Sequence, residues 1–291
     1  MPLPVCFLNG DYRPLSEAKV SPLDRAFLFG DAVYEVIPVY AGRPFRLREH
    51  LDRLLRSLSA IRMPPALTHD AWAGVLRELF ARNGAASQDL YVYLQVTRGA
   101  EFGRNHAWPD DLAPTLFAYL SALEPVSEHI LQNGVAAITA EEIRWARRDI
   151  KSTALLANVL LKKRASDAGA FEAILLEQGE LTEGSSTTVH VVSGGALRTP
   201  PNSHHILPGT TRDVVTELAA RLAIASEVGA VTELELRSAE EIWLSFSTRG
   251  VLPVTRLDGV PVGDGKPGPV FRRLQAAFVA YRLELAGAPW L

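Results

Sequence analysis

Carbonyl chemistry at neutral pH calls for a lysine whose ammonium form is disfavoured. The chain offers five lysines, Lys19, Lys151, Lys162, Lys163 and Lys266. Lys19 lies in a polar, turn-rich segment, Lys266 sits between Gly265 and Pro267, and Lys162 and Lys163 are neighbours on a helix-like run where both reach water. Lys151 differs: it follows Ile143-Arg144-Trp145-Ala146-Arg147-Arg148-Asp149-Ile150 and precedes an apolar helix. Crowding by like charge disfavours an ammonium, which is what a Schiff-base lysine needs. A surface lysine ahead of a helix would have the same local sequence, so the rest of the chain must decide.

Three other groups bear on that decision. Ile206-Leu207-Pro208-Gly209-Thr210-Thr211-Arg212-Asp213 opens a helix, and amides at a helix start after a glycine can hold a phosphate. Thr210 and Asp213 also have capping-box spacing, so a plain cap is the simpler reading of that stretch alone. Glu183 is a lone carboxylate in a loop rich in hydroxyls, Thr182 to Thr188, where a surface glutamate is the ordinary expectation. Arg104 and His106 lie two apart in the loop Arg98 to Pro109; an extended segment points both to one side, and two donors there suit a carboxylate. An ordinary polar loop would read the same way. Taken together, a crowded lysine, a phosphate-capable helix start, hydroxyl-bearing loops and a lone carboxylate match the needs of pyridoxal 5′-phosphate. Lysine takes its aldehyde, amides and hydroxyls take its phosphate, and a carboxylate keeps its ring nitrogen protonated.

The elements that must position these groups follow from periodicity. Val5 to Leu8, Asn9-Gly10 and Tyr12 to Pro14 read as a hairpin. Val33, Glu35, Ile37 and Val39 form one face of a strand, with Tyr34 and Val36 on the other. A helix over 50–61 carries Leu51, Leu54, Leu55, Leu58 and Ile61 as its stripe, leaving Arg53 and Arg56 off it, where two solvated arginines are the ordinary reading; a second helix spans about 70–82. Strands are expected over 91–97, 114–120 and 134–140. Ser152 caps a helix over about 153–167 that buries Leu155, Leu156, Val159 and Leu160. A strand over 171–177, a turn at Gln178-Gly179, the loop 182–188 and a strand on to Val192, strands over 196–199, 242–247 and 251–257, a helix from Thr210 and a last helix over 270–285 complete the pattern. A linker at 121–126 separates a small N-terminal domain, 1–120, from a larger C-terminal domain, 127–291.

Composition narrows the class. With 291 residues, 47% hydrophobic and 22% charged, the chain builds packed cores. A net charge of −3 without a basic run argues against nucleic acid and acidic membrane surfaces. One cysteine, Cys6, excludes an internal disulfide and a cysteine metal cluster, and no metal is expected. No secretory signal or membrane span is read, so the expected compartment is the cytosol.

The motifs Phe29-Gly30-Asp31-Ala32-Val33-Tyr34-Glu35, Glu49-His50-Leu51-Asp52-Arg53-Leu54, Gln95-Val96-Thr97-Arg98-Gly99, Asp149-Ile150-Lys151-Ser152, Leu181-Thr182-Glu183-Gly184-Ser185-Ser186 and Leu207-Pro208-Gly209-Thr210-Thr211-Arg212-Asp213 occur in order, nearly end to end. In this the chain resembles the class IV aminotransferases, fold-type IV pyridoxal-phosphate enzymes, and among them the bacterial D-amino-acid aminotransferases. The resemblance implies an α+β, two-domain fold with a small N-terminal α/β sandwich and a larger C-terminal pseudo-barrel. It implies that Lys151 binds the cofactor covalently and then moves the proton between Cα and C4′. Glu183 would meet the pyridinium nitrogen, Leu207 would pack on the ring, and Arg53, Gly209, Thr210, Thr211, Ser247 and Thr248 would hold the phosphate. That replaces the solvated reading of Arg53. Arg144 would approach the phenolic oxygen. Tyr34, Arg104 and His106 would hold the substrate carboxylate, with the Arg104/His106 loop supplied by the partner of a homodimer. The implied reaction moves nitrogen from a D-amino acid, such as D-alanine or D-glutamate, to 2-oxoglutarate or pyruvate by a ping-pong route. Branched-chain L-amino-acid aminotransferase, aminodeoxychorismate lyase and a non-catalytic pyridoxal-phosphate binder are the alternatives. Pro38, where some relatives have lysine, leaves side-chain specificity open.

Overall fold

A computed structural model describes residues 1–285 and 290–291. By contact the chain forms two units, Met1–Glu124 with Ile150–Ala154 and Glu284–Leu291, and Pro125–Asp149 with Leu155–Leu283. Spacing alone runs the second domain unbroken through Lys151, whereas the structure groups that lysine with the first unit. The cause is strand pairing: Tyr34 N donates to Lys151 O (3.0 Å), Thr153 N donates to Ala32 O (3.0 Å), and Val33 bridges Ser152. Ser152 is thereby part of a β-bridge and caps no helix.

The first unit is an antiparallel sheet under two helices. Its strands are β1 Pro2–Leu8, β2 Asp11–Pro14, β3 Ala32–Tyr40, β4 Arg43–Pro44, β5 Leu90–Thr97 and β6 Thr115–Ala122, in the order β2-β1-β6-β5-β3-β4. A short helix α1, Arg25–Phe29, precedes β3; α2, Leu47–Ala60, and α3, His69–Arg82, follow it. Asn9 (φ 51°) and Gly10 (φ 95°) make the expected β1–β2 turn. Alternation along β3 sends Val33, Glu35, Ile37 and Val39 inward, all of them fully buried. Val33, Ile37 and Val39 pack with Leu51, Leu54 and Leu58 of α2 and Trp72, Leu76 and Leu79 of α3. Each such aliphatic side chain contributes roughly 1.5–3 kcal/mol on burial. The opposite face is aromatic: Tyr34 stacks on Tyr93 (5.7 Å between centroids) and Tyr93 on Tyr119 (5.3 Å).

The second unit contains α4 Glu128–Asn133, β7 Val135–Glu141, α5 Leu156–Asp167, β8 Glu172–Glu177, β9 Glu180–Gly184, β10 Thr188–Ser193, β11 Ala196–Thr199, α6 Thr210–Arg221, β12 Ser226–Val228, α7 Glu233–Arg237, β13 Glu241–Phe246, β14 Gly250–Leu257, β15 Val260–Pro261 and α8 Pro269–Leu285. Its sheet runs β12-β11-β10-β13-β14-β7-β8-β9, with β15 on β14. That order forces curvature. On a flat sheet β9 and β10 would lie about 24 Å apart at ~4.8 Å per strand. The chain passes from Gly184 to Thr188 directly, a step of at most about 14 Å. The sheet therefore curls until its β9 edge approaches β10, which encloses the loops at that end.

Two expectations are corrected. The helix expected over 153–167 begins at Leu156, and its Leu156, Val159 and Leu160 are exposed rather than buried. Leu161 and Ala165 face β7 and β8, and one helical face cannot serve both groups. The polar stretch before β7, where spacing suggests no element, contains α4, capped by Ser127 Oγ accepting from Ile130 N (3.3 Å). Among the described residues no helix is long and apolar enough to cross a membrane, and no cluster could hold a metal ion.

Candidate active site

The candidate residues fall into three groups. The first surrounds Lys151. Its Nζ stands 4.4 Å from the centre of the Tyr34 ring, and its backbone N donates to Ser57 Oγ (3.2 Å). Beneath lies a buried ion cluster. Arg53 Nε and Nη2 each donate to a different oxygen of Glu35 at 2.7 Å, and His50 Nδ1 stands 2.8 Å from Glu35 Oε2. Burial pushes the Glu35 carboxyl up, but Arg53 and then His50 outweigh it and hold it well below the usual carboxylate range. Burial pulls His50 down despite Glu35, so the neutral ring donates its Nδ1 proton to the carboxylate. Arg53, off the apolar stripe by periodicity, is only 3% exposed because Glu35 draws its guanidinium inward.

Sequence reasoning missed Glu35 and His50 as site residues. The signal was present: a glutamate in the inward stripe of β3 must find a cation or a donor, and His50 and Arg53 are an i, i+3 pair on the helix that follows.

The second group surrounds Glu183, at the end of β9. Arg144 Nη1 donates to Glu183 Oε1 (2.8 Å) and Leu207 N donates to Oε2 (3.1 Å). Arg144 also gives Nε (2.9 Å) and Nη2 (2.5 Å) to Glu142, which accepts a hydroxyl bond from Thr182 (3.2 Å). The guanidinium thus faces two carboxylates, a role the sequence did not suggest. Burial pushes Glu183 up to about 7, against the pull of Arg144 and the Leu207 amide. The other arginines before Lys151 are also paired: Arg147 with Asp149 (2.9 Å) and Arg148 with Glu177 (2.6 Å). Carboxylates therefore offset the like-charge crowding that first set Lys151 apart.

Leu207 leads into α6. Gly209, which has no side chain to cap with, is the N-cap of that helix and Thr210 its first residue, so Thr210 does not hold the N-cap position that the expected Thr210/Asp213 capping box needs. A Cβ on Gly209 would lie 2.8 Å from Thr188 Oγ1, a close approach that only glycine permits without a shift. Thr188 pairs with Ser245 at the end of β13, so the start of α6 and the β13–β14 turn holding Ser247 and Thr248 share one end of the sheet. A helix start with a glycine N-cap beside hydroxyls suits an anion. A buried carboxyl with half an arginine suits a ring N–H. On both counts these residues fit pyridoxal 5′-phosphate.

The third group is the loop after β5. Arg104 and His106 are exposed, and both lie on Phe29, at 5.1 Å and 5.3 Å from its ring centre. The two-residue spacing thus places both on one neighbour.

Residues 32–257 match the family described as amino-transferase class IV. The chain is 40% identical over 276 residues to a D-alanine aminotransferase of Staphylococcus aureus (strain MSSA476), covering 94% of this chain and 96% of that one. It is 41% identical over 270 residues to that of Bacillus licheniformis, covering 92% and 94%. Among solved structures, the branched-chain amino acid aminotransferase from Escherichia coli superposes with a TM-score of 0.89 at 26% identity, over 99% of this chain and 97% of that one. A second branched-chain amino acid aminotransferase, solved with pyridoxamine 5′-phosphate from the organism abbreviated T.th., gives 0.88 at 28% identity, over 96% and 94%. On this match, and with its curled sheet and glycine N-cap at the start of α6, the chain belongs to the class IV aminotransferases.

Proposed function

We propose that this chain is a D-amino-acid aminotransferase that moves the amino group of a D-amino acid, such as D-alanine or D-glutamate, to 2-oxoglutarate or pyruvate in two half-reactions. The observation that carries the chemistry is Glu183: a buried carboxyl, raised to about 7, with one shared arginine, is built to receive one more N–H. The identity to D-alanine aminotransferases over nearly the whole chain supports the D-amino-acid assignment. When bound, pyridoxal 5′-phosphate supplies an aldehyde for the amine and a protonated ring that accepts electrons as the Cα–H bond breaks.

The chain's residues take the remaining work. Lys151 Nζ binds the cofactor and carries the proton between the substrate Cα and the cofactor C4′. Glu183 accepts from the ring nitrogen, and Arg144 opposes the effect of burial on that carboxyl. Leu207 packs against the ring. Gly209, Thr210, Thr211, Ser247 and Thr248 bind the phosphate, as does Arg53, which Glu35 orients. Tyr34, Arg104 and His106 hold the substrate carboxylate. The loop acts in the site of a second copy, so the working form is a homodimer in the cytosol. Exposed apolar side chains at Phe27 and Phe102 in the first unit, and at Leu156, Val159 and Leu160 in the second, support such an interface.

Lys151→Ala should abolish turnover of D-alanine with 2-oxoglutarate in a coupled keto-acid assay; near wild-type turnover overturns the assignment. A panel of D- and L-amino acids tests the subgroup: activity on L-leucine without activity on D-alanine would move the chain to the branched-chain enzymes.

A further inference from the structure

Most side chains of the loop from Gly99 to Pro114 are exposed, yet its middle is held from inside. Arg25, on α1, is 3% exposed. Its Nε donates to Asp31 Oδ2 (2.9 Å), Nη1 to Asn105 O (2.7 Å) and to Glu101, and Nη2 to His106 O (3.0 Å). Two of these acceptors are main-chain carbonyls at and beside the residues that carry Arg104 and His106. Asp31 is the second anchor. Arg98 donates to both its oxygens (2.8 and 3.0 Å) and stacks at 3.9 Å on Trp108, farther along the same loop. The loop's start is pinned too, since Arg25 N donates to Gly99 O (2.8 Å) and Asp24 bridges Ala100. A guanidinium with donors in a fixed fork is suited to setting several acceptors at once.

We propose that Arg25 is a positioning residue for substrate binding: anchored on Asp31, it fixes the backbone at Asn105 and His106 and so aims the Arg104 and His106 side chains. Glu101 is its partner on the loop. Arg25 itself meets no substrate. The consequence for catalysis rests on the reading that Arg104 and His106 hold the substrate carboxylate, while the structural claim stands without it. An interaction used equally in the bound substrate and the transition state shows in KM and leaves kcat, so the effect is expected in KM.

The test compares Arg25→Met, Glu101→Gln and Arg104→Ala in the cofactor-loaded enzyme. Amide hydrogen exchange over residues 101–108 reads the clamp, and KM and kcat for D-alanine read the consequence. Arg25→Met should speed exchange in that segment and raise KM roughly tenfold with kcat within about twofold, and Arg25→Met/Arg104→Ala should match Arg104→Ala alone. Should Arg25→Met prove too unstable to purify, Glu101→Gln carries the test, with faster exchange at the same amides and a KM rise of roughly threefold. Unchanged exchange in Glu101→Gln and in any foldable Arg25 variant overturns the clamp. Faster exchange with unchanged KM, where Arg104→Ala does raise KM, overturns the positioning role. An unchanged KM in Arg104→Ala sinks the carboxylate reading instead, and exchange alone then decides the clamp.

Discussion

Glu35 and Glu183 are both buried carboxyls beside an arginine, and they settle in opposite states. Burial raises both. Around Glu35 it is overcome, because one carboxylate receives two bonds from Arg53 and one from His50. Around Glu183 it prevails, because Arg144 is divided. Glu142 takes Nε and Nη2 and is held below its usual range, leaving Glu183 with Nη1 and one amide. Burial alone does not mark a functional carboxyl; the count of donors per carboxylate does. A cluster with enough donors is structural and aims Arg53. A cluster short of one has room for a further donor, which is the role proposed for Glu183.

The difference predicts different failures. Glu35→Gln leaves the Arg53 cation buried without its counter-charge, which costs about 3–5 kcal/mol in comparable ion pairs. Urea titration should show that loss, and a change below about 1 kcal/mol would mean that solvent reaches Arg53. Glu183→Gln replaces a carboxyl that is already about half neutral near pH 7, so its apo stability at that pH should fall little. Its activity should fall by roughly 10²–10³, the scale seen when one preorganised electrostatic partner is removed. Equal damage to stability and activity in both variants would erase the distinction between the clusters.

The pH dependence of stability has opposite sign at the two sites. The folded pKa of Glu183, about 7, exceeds its ordinary 4.5, so the folded apo protein holds the extra proton between those values. Stability contributed there falls as pH rises through that window. Glu35 is depressed, so its contribution is complete above about 4.5 and is lost as pH falls below it. Apo protein should therefore lose stability between about pH 4.5 and 7, and Glu183→Gln should flatten that slope while leaving the acid limb. Loading the cofactor should flatten it too, since a ring cation favours the charged carboxyl. A slope in Glu183→Gln as steep as wild type would assign it to another group.

How much of this was legible beforehand follows from the range over which each feature is determined. The β3 stripe and the core face of α2 are local periodicities, and they read correctly from spacing. The motifs around Lys151, Glu183 and Gly209 are also local. What the spacing did not show is pairing across the chain. Arg53 looked solvated because Glu35 lies 18 residues away, and Arg144 looked like crowding for Lys151 because Glu183 lies 39 residues away. The exposed face of α5 misled for a related reason: periodicity identifies an apolar face, but not which face β7 and β8 cover. The Arg25 clamp spans 80 residues and has no local signature.

The finest test of the donor count removes one neutral donor. Thr182 Oγ1 donates to Glu142 (3.2 Å) and also lies 3.2 Å from Leu175 O. Thr182→Val keeps the shape and deletes the hydroxyl, at a cost of about 1 kcal/mol. Glu142 would then depend more on Arg144, drawing the guanidinium further from Glu183. In the apo protein the Glu183 carboxyl should then rise further, so the loss of stability with rising pH should extend to higher pH in Thr182→Val than in wild type. A loss unmoved or displaced to lower pH would mean that the two carboxylates do not compete for Arg144, and the contrast with Glu35 would need another cause.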